Sequence, residues 1–194
     1  MTDVNTKEWK YERVRGQSEP LDLTPTPRSL EVLGYVNIEP WQCVAELIDN
    51  SLDDFRRSET PNGIIDVHYF DGKLVITDNG SGMTLRTVEK ALKLGYSDKS
   101  KEGELGLFGV GFNVATIKLG SKTEVLTKTI DDAHWNSVTL DTKALIKKNN
   151  FTVQPEIAKS KQNSMPKKGT QIHITLKKEI NALFSRAAGR RTIA

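Results

Sequence analysis

The stretch IIDVHYFDGKLVITDNGSGM, Ile64–Met83, decides the fold. Two β-rich runs, IIDVHYF and KLVIT, flank Asp71-Gly72, and a DG pair between such runs marks a tight hairpin. The second strand runs straight into Asp78, and Asp78-Asn79-Gly80-Ser81-Gly82-Met83 follows as a turn. Downstream, Thr84 can cap a short helix, LRTVEKALKL, that stops at Gly95. A polar, lysine-rich loop, YSDKSKEGELG, comes next, and after Gly111 a helix, FNVATIKL, closes at Gly120. TEVLTKT, HWNSVTL and TQIHITL are further strands, with KSKQNSMPKKG as a surface loop between the last two. Upstream, a helix is expected from Pro40 to near Arg57, since proline suits a first turn. Helices interspersed with hairpin-connected strands imply an α+β fold: a mixed, mostly antiparallel sheet with helices on one face.

The upstream helix carries AELIDNSLDD from Ala45. At roughly 100° per residue, with Glu46 at zero, Asn50 lies near 40° and Asp53 near −20°. Val44, Ile48 and Phe55 fall on the opposite side, at about 160–200°, with Trp41 and Leu52 beside them. An ordinary amphipathic helix would have this pattern too. Its solvated face is usually rich in Lys and Arg, however, and none occurs between Trp41 and Asp54. Read chemically, Glu46 can orient and deprotonate an attacking water. The Asn50 amide oxygen can hold Mg²⁺, which takes few protein ligands, and Asp53 can organise the groups around it.

The turn after Asp78 can be a plain Asn-Gly turn. It can also present a buried aspartate to the exocyclic amine of adenine, with Gly80 and Gly82 admitting a flat base and Met83 as a soft apolar wall. Gly106, Gly109 and Gly111 precede a helix, where backbone N–H groups can point at phosphate. The chain contains neither a Walker loop nor a Rossmann fingerprint. The glycine-rich, polar run from Gly95 to Gly111 reads as a mobile lid over the nucleotide.

Composition narrows the setting. The chain has 194 residues, 37% of them hydrophobic, enough for one core with a polar cleft. A formal charge of +3 does not by itself argue for nucleic acid. One cysteine, Cys43, excludes an internal disulfide framework and suits a reducing, cytoplasmic setting, or a nuclear one in a eukaryote. No apolar run reaches the roughly 18 residues of a membrane span, and the N-terminus lacks a signal-peptide core. His68, His134 and His173 are scattered, so no zinc cage is expected; His173 reads as the polar face of a strand.

Glu-x-x-x-Asn, Asp-x-Gly-x-Gly and Gly-x-x-Gly-x-Gly, in this order, resemble the GHKL ATPases, which share the Bergerat ATP-binding fold and include gyrase B subunits, MutL proteins, heat-shock chaperones and histidine kinases. Lys168-Gly169-Thr170 before a strand matches a fourth element of that family, a Gly-Thr whose hydroxyl helps hold the adenine aspartate. The resemblance covers residues 30 to 177. ALKLGYSDKSKEGELGLFGVGFNVATIKLG looks most like the MORC branch and its bacterial relatives. The likeness implies a Mg²⁺-dependent ATPase that binds ATP, closes its lid and dimerises. It makes Glu46 the general base and Asn50 the metal ligand. Nucleotide contacts fall to Asn50, Asp53, Asp78, Gly80, Gly82, Met83, Gly106, Leu107, Phe108, Gly109, Val110, Gly111, Phe112 and Thr170.

Two departures concern the phosphate end. MORC proteins usually carry lysine where this chain has Asn113, and Lys99, Lys101 or Lys118 could substitute. Gyrase, MutL and MORC relatives receive a catalytic lysine from a following domain, for which a chain ending at Ala194 has no room. A fragment, or a partner supplying the lysine, is therefore expected, with slow hydrolysis by the chain alone. MORC and gyrase relatives act on DNA, which makes DNA a candidate partner. The implied organisation is an N-terminal arm over 1–27, flexible or crossing to a second copy; an ATP-binding domain over 28–180; and a basic tail, or the start of a following segment, over 181–194. Two alternatives stand beside the ATPase: a nucleotide-dependent switch with little hydrolysis, and a histidine-kinase-like catalytic domain. Against the second, such kinases usually lack a base equivalent to Glu46, and this sequence shows no helical pair bearing a phospho-acceptor histidine.

Overall fold

The computed structural model describes residues 11–16, 21–22, 37–93, 111–148, 152–160 and 166–189. Strands β1 (Tyr11–Arg15) and β2 (Leu21–Asp22) precede helix α1 (Pro40–Arg57). The hairpin β3 (Ile65–Phe70) and β4 (Lys73–Asp78) leads to α2 (Leu85–Leu92). Helix α3 (Gly111–Leu119) passes directly into β5 (Gly120–Lys128), which is followed by β6 (Trp135–Asp141) and α4 (Thr142–Lys148). Strands β7 (Thr152–Val153), β8 (Glu156–Ser160) and β9 (Gly169–Leu176) and helix α5 (Lys178–Gly189) complete the order.

One seven-stranded sheet runs β1-β8-β6-β5-β9-β4-β3, and β2 pairs with β7 separately. The expected sheet, mixed but mostly antiparallel, is antiparallel at every described pair. Asp71 (φ 46°) and Gly72 (φ 71°) both have positive φ, the requirement of a turn whose twist matches its strands. Residues directly opposite in an antiparallel pair share a face. Leu74↔Ile174, Ile76↔Ile172 and Val125↔Ile172 therefore form one apolar surface. Cys43 and Leu47 of α1, Ala115 and Leu119 of α3 and Ile180 of α5 pack on it. Val88 and Leu92 of α2 join Val125, Val138, Leu21 and Val153 in the adjoining cluster. The same register puts Asp78, Thr170 and Thr127 in one row on the helix-covered face, where the apolar surface ends.

The structure moves several boundaries. Within the stretch expected to be an arm, Tyr11–Arg15 is an edge strand on β8 and Leu21 is buried in the second cluster. Of the expected basic tail, residues 181–189 fall in α5, where Phe184 packs against Tyr69 with ring centroids 5.6 Å apart, and 190–194 lie outside the described residues. Helix α2 ends at Leu92, and Leu94 and Gly95 lie outside the described residues. Gly120 opens β5 rather than closing α3 as a cap. Lys159 and Ser160 of the expected loop belong to β8. His173 does lie on the other face of β9, its Nε2 2.7 Å from Gln171 Oε1, while Gln171 Nε2 donates to Thr77 Oγ1 at 2.9 Å.

The buried stripe of α1 also differs from expectation. Cys43 and Leu47 are fully buried and Ser51 nearly so, whereas Trp41 is 68% exposed. On the same rough count the stripe centres near 100°, not 160–200°. Helix α1 turns its small and polar residues inward because its C-terminal half borders a cavity as well as the sheet.

Candidate functional site

Each element delivers one part of that cavity, which encloses about 500 Å³, a size suited to a small-molecule ligand. Asp78, at the end of β4, is its buried carboxylate. Ser51 Oγ of α1 donates to Oδ2 at 2.9 Å. The backbone N–H groups of Gly80 and Thr170 donate to Oδ1 at 2.9 and 3.0 Å. Burial raises the Asp78 carboxyl above its ordinary range, and the bonds from Gly80, Ser51 and Thr170 oppose that shift without cancelling it. Thr170 thus holds the aspartate through its N–H, while its hydroxyl lies 3.5 Å from Thr127 Oγ1.

Asp54, in the last turn of α1, secures the turn beyond Asp78. It accepts from the Ser81 N–H at 2.6 Å and from the Ser81 hydroxyl at 2.5 Å. Arg57 Nη2 is 3.6 Å from Asp54 and 74% exposed at the rim. Gly82 has φ 72°, and a Cβ there would collide with the Lys128 carbonyl. Thr127, fully buried, accepts from the Met83 N–H at 2.7 Å and donates to the Gly169 carbonyl at 3.2 Å. The turn is therefore pinned from α1 and from β5, with Met83 facing the cavity.

The opposite wall comes from α2 and α3, through Thr87, Val88, Ala91, Leu92 and Phe112. Gly111 begins α3, and a Cβ on it would lie 2.6 Å from Glu46 Oε2. The missing side chain admits the Glu46 carboxylate to the α3 N-terminus. Asn113 is 2% exposed, and its Nδ2 donates to the Ala91 carbonyl at 3.1 Å. Lys118, seven residues along α3 from Gly111 and so roughly 10 Å away, is exposed in the last turn of α3.

Of the residues singled out from sequence, Asn50, Asp78, Gly82, Met83, Phe112 and Thr170 line the cavity. Glu46 and Gly111 are not among the lining residues; the Glu46 carboxylate lies against Gly111, next to the lining residue Phe112, and Gly80 supports Asp78. Asp53 is not among the lining residues; it is 55% exposed and pairs with Arg56 at 2.8 Å. Gly106, Leu107, Phe108, Gly109, Val110, Lys99 and Lys101 lie outside the described residues. Sequence reading missed Ser51, Asp54, Ser81 and Thr127. The one available signal was the i, i+4, i+8 spacing of Cys43, Leu47 and Ser51.

Among the described residues, Arg57 is the sole Lys or Arg lining the cavity, and no group of three or more His, Cys, Asp or Glu is arranged to hold a metal. Mg²⁺ does not require such a cage. The Asn50 amide at the cavity wall, with Glu46 one turn before it, suits an ion that keeps most of its waters. No described helix is long and apolar enough to cross a membrane.

Comparison with known proteins points the same way. Part of the chain is 39% identical over 95 residues to Protein MICRORCHIDIA 5 of Arabidopsis thaliana, which covers 44% of the chain and 13% of that protein. It is 33% identical over 88 residues to Protein MICRORCHIDIA 1 of the same plant, covering 44% of the chain and 14% of that protein. It is 35% identical over 108 residues to MORC family CW-type zinc finger protein 3 of Mus musculus, covering 53% of the chain and 11% of that protein. The chain thus spans only a small part of these relatives. The family described as "Histidine kinase-, DNA gyrase B-, and HSP90-like ATPase" matches residues 38–176, well over half of the chain and every described element from α1 to β9. With its fold, its Asp78 turn and its two glycine-bordered walls, the chain belongs to this GHKL ATPase family, and its likeness within it is to the MORC branch.

Proposed function

We propose that this chain binds ATP with Mg²⁺ and hydrolyses it, using nucleotide binding to close a lid and to dimerise. The observation that carries the reading is Asp78. A buried carboxylate at the cavity floor, held by three donors from three elements, suits the exocyclic amine of adenine. A guanine carbonyl in the same place would meet an acceptor with an acceptor. Gly80, Gly82 and Met83 flank the base, and Thr170 supports Asp78. The N-terminus of α3, led by Gly106, Leu107, Phe108, Gly109, Val110, Gly111 and Phe112, receives the phosphates. Glu46 takes the proton of the attacking water. Asn50 holds Mg²⁺, which when bound neutralises charge on phosphate oxygens. Asp53, on the same helix, contributes only through solvent.

The family supports ATP chemistry and, in its members, dimerisation on ATP binding. The arrangement of cations favours slow turnover by this chain alone. Among the described residues no Lys lines the cavity and its one Arg, Arg57, lies on α1, so the charge for the γ-phosphate comes from outside the described residues: from the Lys99 and Lys101 stretch, a following domain, a second copy or a partner. The same observation favours a second reading, a nucleotide switch with little hydrolysis. The setting is cytoplasmic or nuclear, and DNA is the partner class to examine first.

Calorimetric titration with ATP and GTP, with phosphate release measured alongside, tests these readings. ATP should bind at least tenfold more tightly than GTP. Glu46→Ala should bind ATP like the parent while its turnover falls by about 10²-fold or more. Normal hydrolysis by Glu46→Ala would sink the general-base assignment. Tight binding with no turnover by the parent chain would favour the switch.

A further inference from the structure

Asn113 sits in the first turn of α3, almost fully buried, and caps a different helix. Carbonyls in the last turn of a helix lack an intrahelical donor. At the end of α2, the Glu89 carbonyl accepts from the Lys93 N–H at 2.9 Å, and the Ala91 carbonyl accepts from Asn113 Nδ2 at 3.1 Å. Ala91 and Phe112, the residue before Asn113, both line the cavity, so this bond ties together the two helices that build this wall. Within α3, Thr116 Oγ1 is 2.9 Å from the Phe112 carbonyl and 3.2 Å from that of Asn113. The first turn of α3 is thereby fastened to its own helix and to α2. Gly111, two residues before Asn113, carries the close approach of Glu46.

We infer that Asn113 is a positioning residue for the nucleotide: it sets the α3 N-terminus, which faces phosphate, against α2, which faces the base side. The inference rests on the ATP reading above. A lysine here would have to leave this buried position to reach phosphate, whereas a neutral amide braces from within. The brace and the base contacts are separable. Asp78, Gly82 and Met83 are held by α1, β5 and β9 without Asn113.

The test compares adenosine with ATP. Asn113→Ala and Asn113→Asp, the latter isosteric but lacking the donor, should bind adenosine within about twofold of the parent and ATP roughly tenfold more weakly. Trp135→Leu, a core truncation on β6 in the separate cluster of Leu126, Trp135 and Ala158, supplies the control: it lowers the melting temperature but leaves the ATP-to-adenosine ratio of affinities unchanged. An unchanged ratio in both Asn113 variants, with the parent binding both ligands, would overturn the inference and leave the ATP reading intact. A parent chain that binds neither ligand would overturn both. Should the variants fail to fold, the Asn113 side-chain amide protons of the unmutated protein decide by NMR. They should exchange slowly, and more slowly with ATP than with adenosine; free exchange in the ATP-bound state would overturn the inference.

Discussion

Asp78 concentrates the energetics of the site in one side chain. It gives up water on entering the cavity and regains three hydrogen bonds, yet its carboxyl remains above its ordinary range because burial outweighs them. A group whose native pKa exceeds its unfolded value takes up its proton more readily in the native state. Its contribution to stability is full below the unfolded pKa and is lost as pH rises through the native one. Asp78→Asn removes that titration. Urea unfolding of both proteins between about pH 7 and pH 4 should show the parent gaining on the variant as pH falls. A constant gap, or one moving the other way, would show that Asp78 does not titrate with a raised pKa. At neutral pH the variant should lose most of its preference for ATP over GTP.

At the scale of elements, the turn between β4 and α2 depends on Gly82. Its positive φ costs an L-residue roughly 1–2 kcal/mol, and the collision with the Lys128 carbonyl adds to that. Gly82→Ala should lower unfolding free energy by at least that amount and weaken ATP binding, since Met83 moves with it. Unchanged stability would mean that the turn can reach β5 by another route. This turn was legible in sequence because each residue in it obeys a local rule: a strand ends at Asp78, an Asn-Gly pair follows, and Thr84 caps the next helix, accepting from the Thr87 N–H at 3.2 Å. The hairpin and the span of α1 were legible for the same reason. Contacts decided by tertiary packing were not. The helical wheel put Asp53 beside Glu46 and Asn50, but only packing selects Asp54 for Ser81 and leaves Asp53 in water. Thr127 reads as one more strand residue until β9 and the turn close around it. The pairing of β1 with β8 joins segments separated by most of the chain, and no local pattern announces it.

For the whole molecule, the distribution of charge limits what one copy can do. Helix α1 offers Glu46, Asp49, Asp53 and Asp54, and the described cation nearest the cavity, Arg57, lies at the base end of α1 rather than at α3. Charge developing on a γ-phosphate therefore lacks compensation from the described part of this chain. Two outcomes follow from the ATP reading. Phosphate release per chain should be slow, well below the roughly 10 s⁻¹ typical of enzymes. Sedimentation should show a monomer without nucleotide and a dimer with Mg²⁺ and a non-hydrolysable ATP analogue, and the dimer should also form with Glu46→Ala, because binding and not hydrolysis drives it. If a second copy brings the missing cation, release per chain must climb with protein concentration through the same range in which the dimer forms. A monomer that persists at about 100 μM with saturating analogue would sink the dimer reading. A dimer with flat, slow turnover would show that the second copy does not bring the cation.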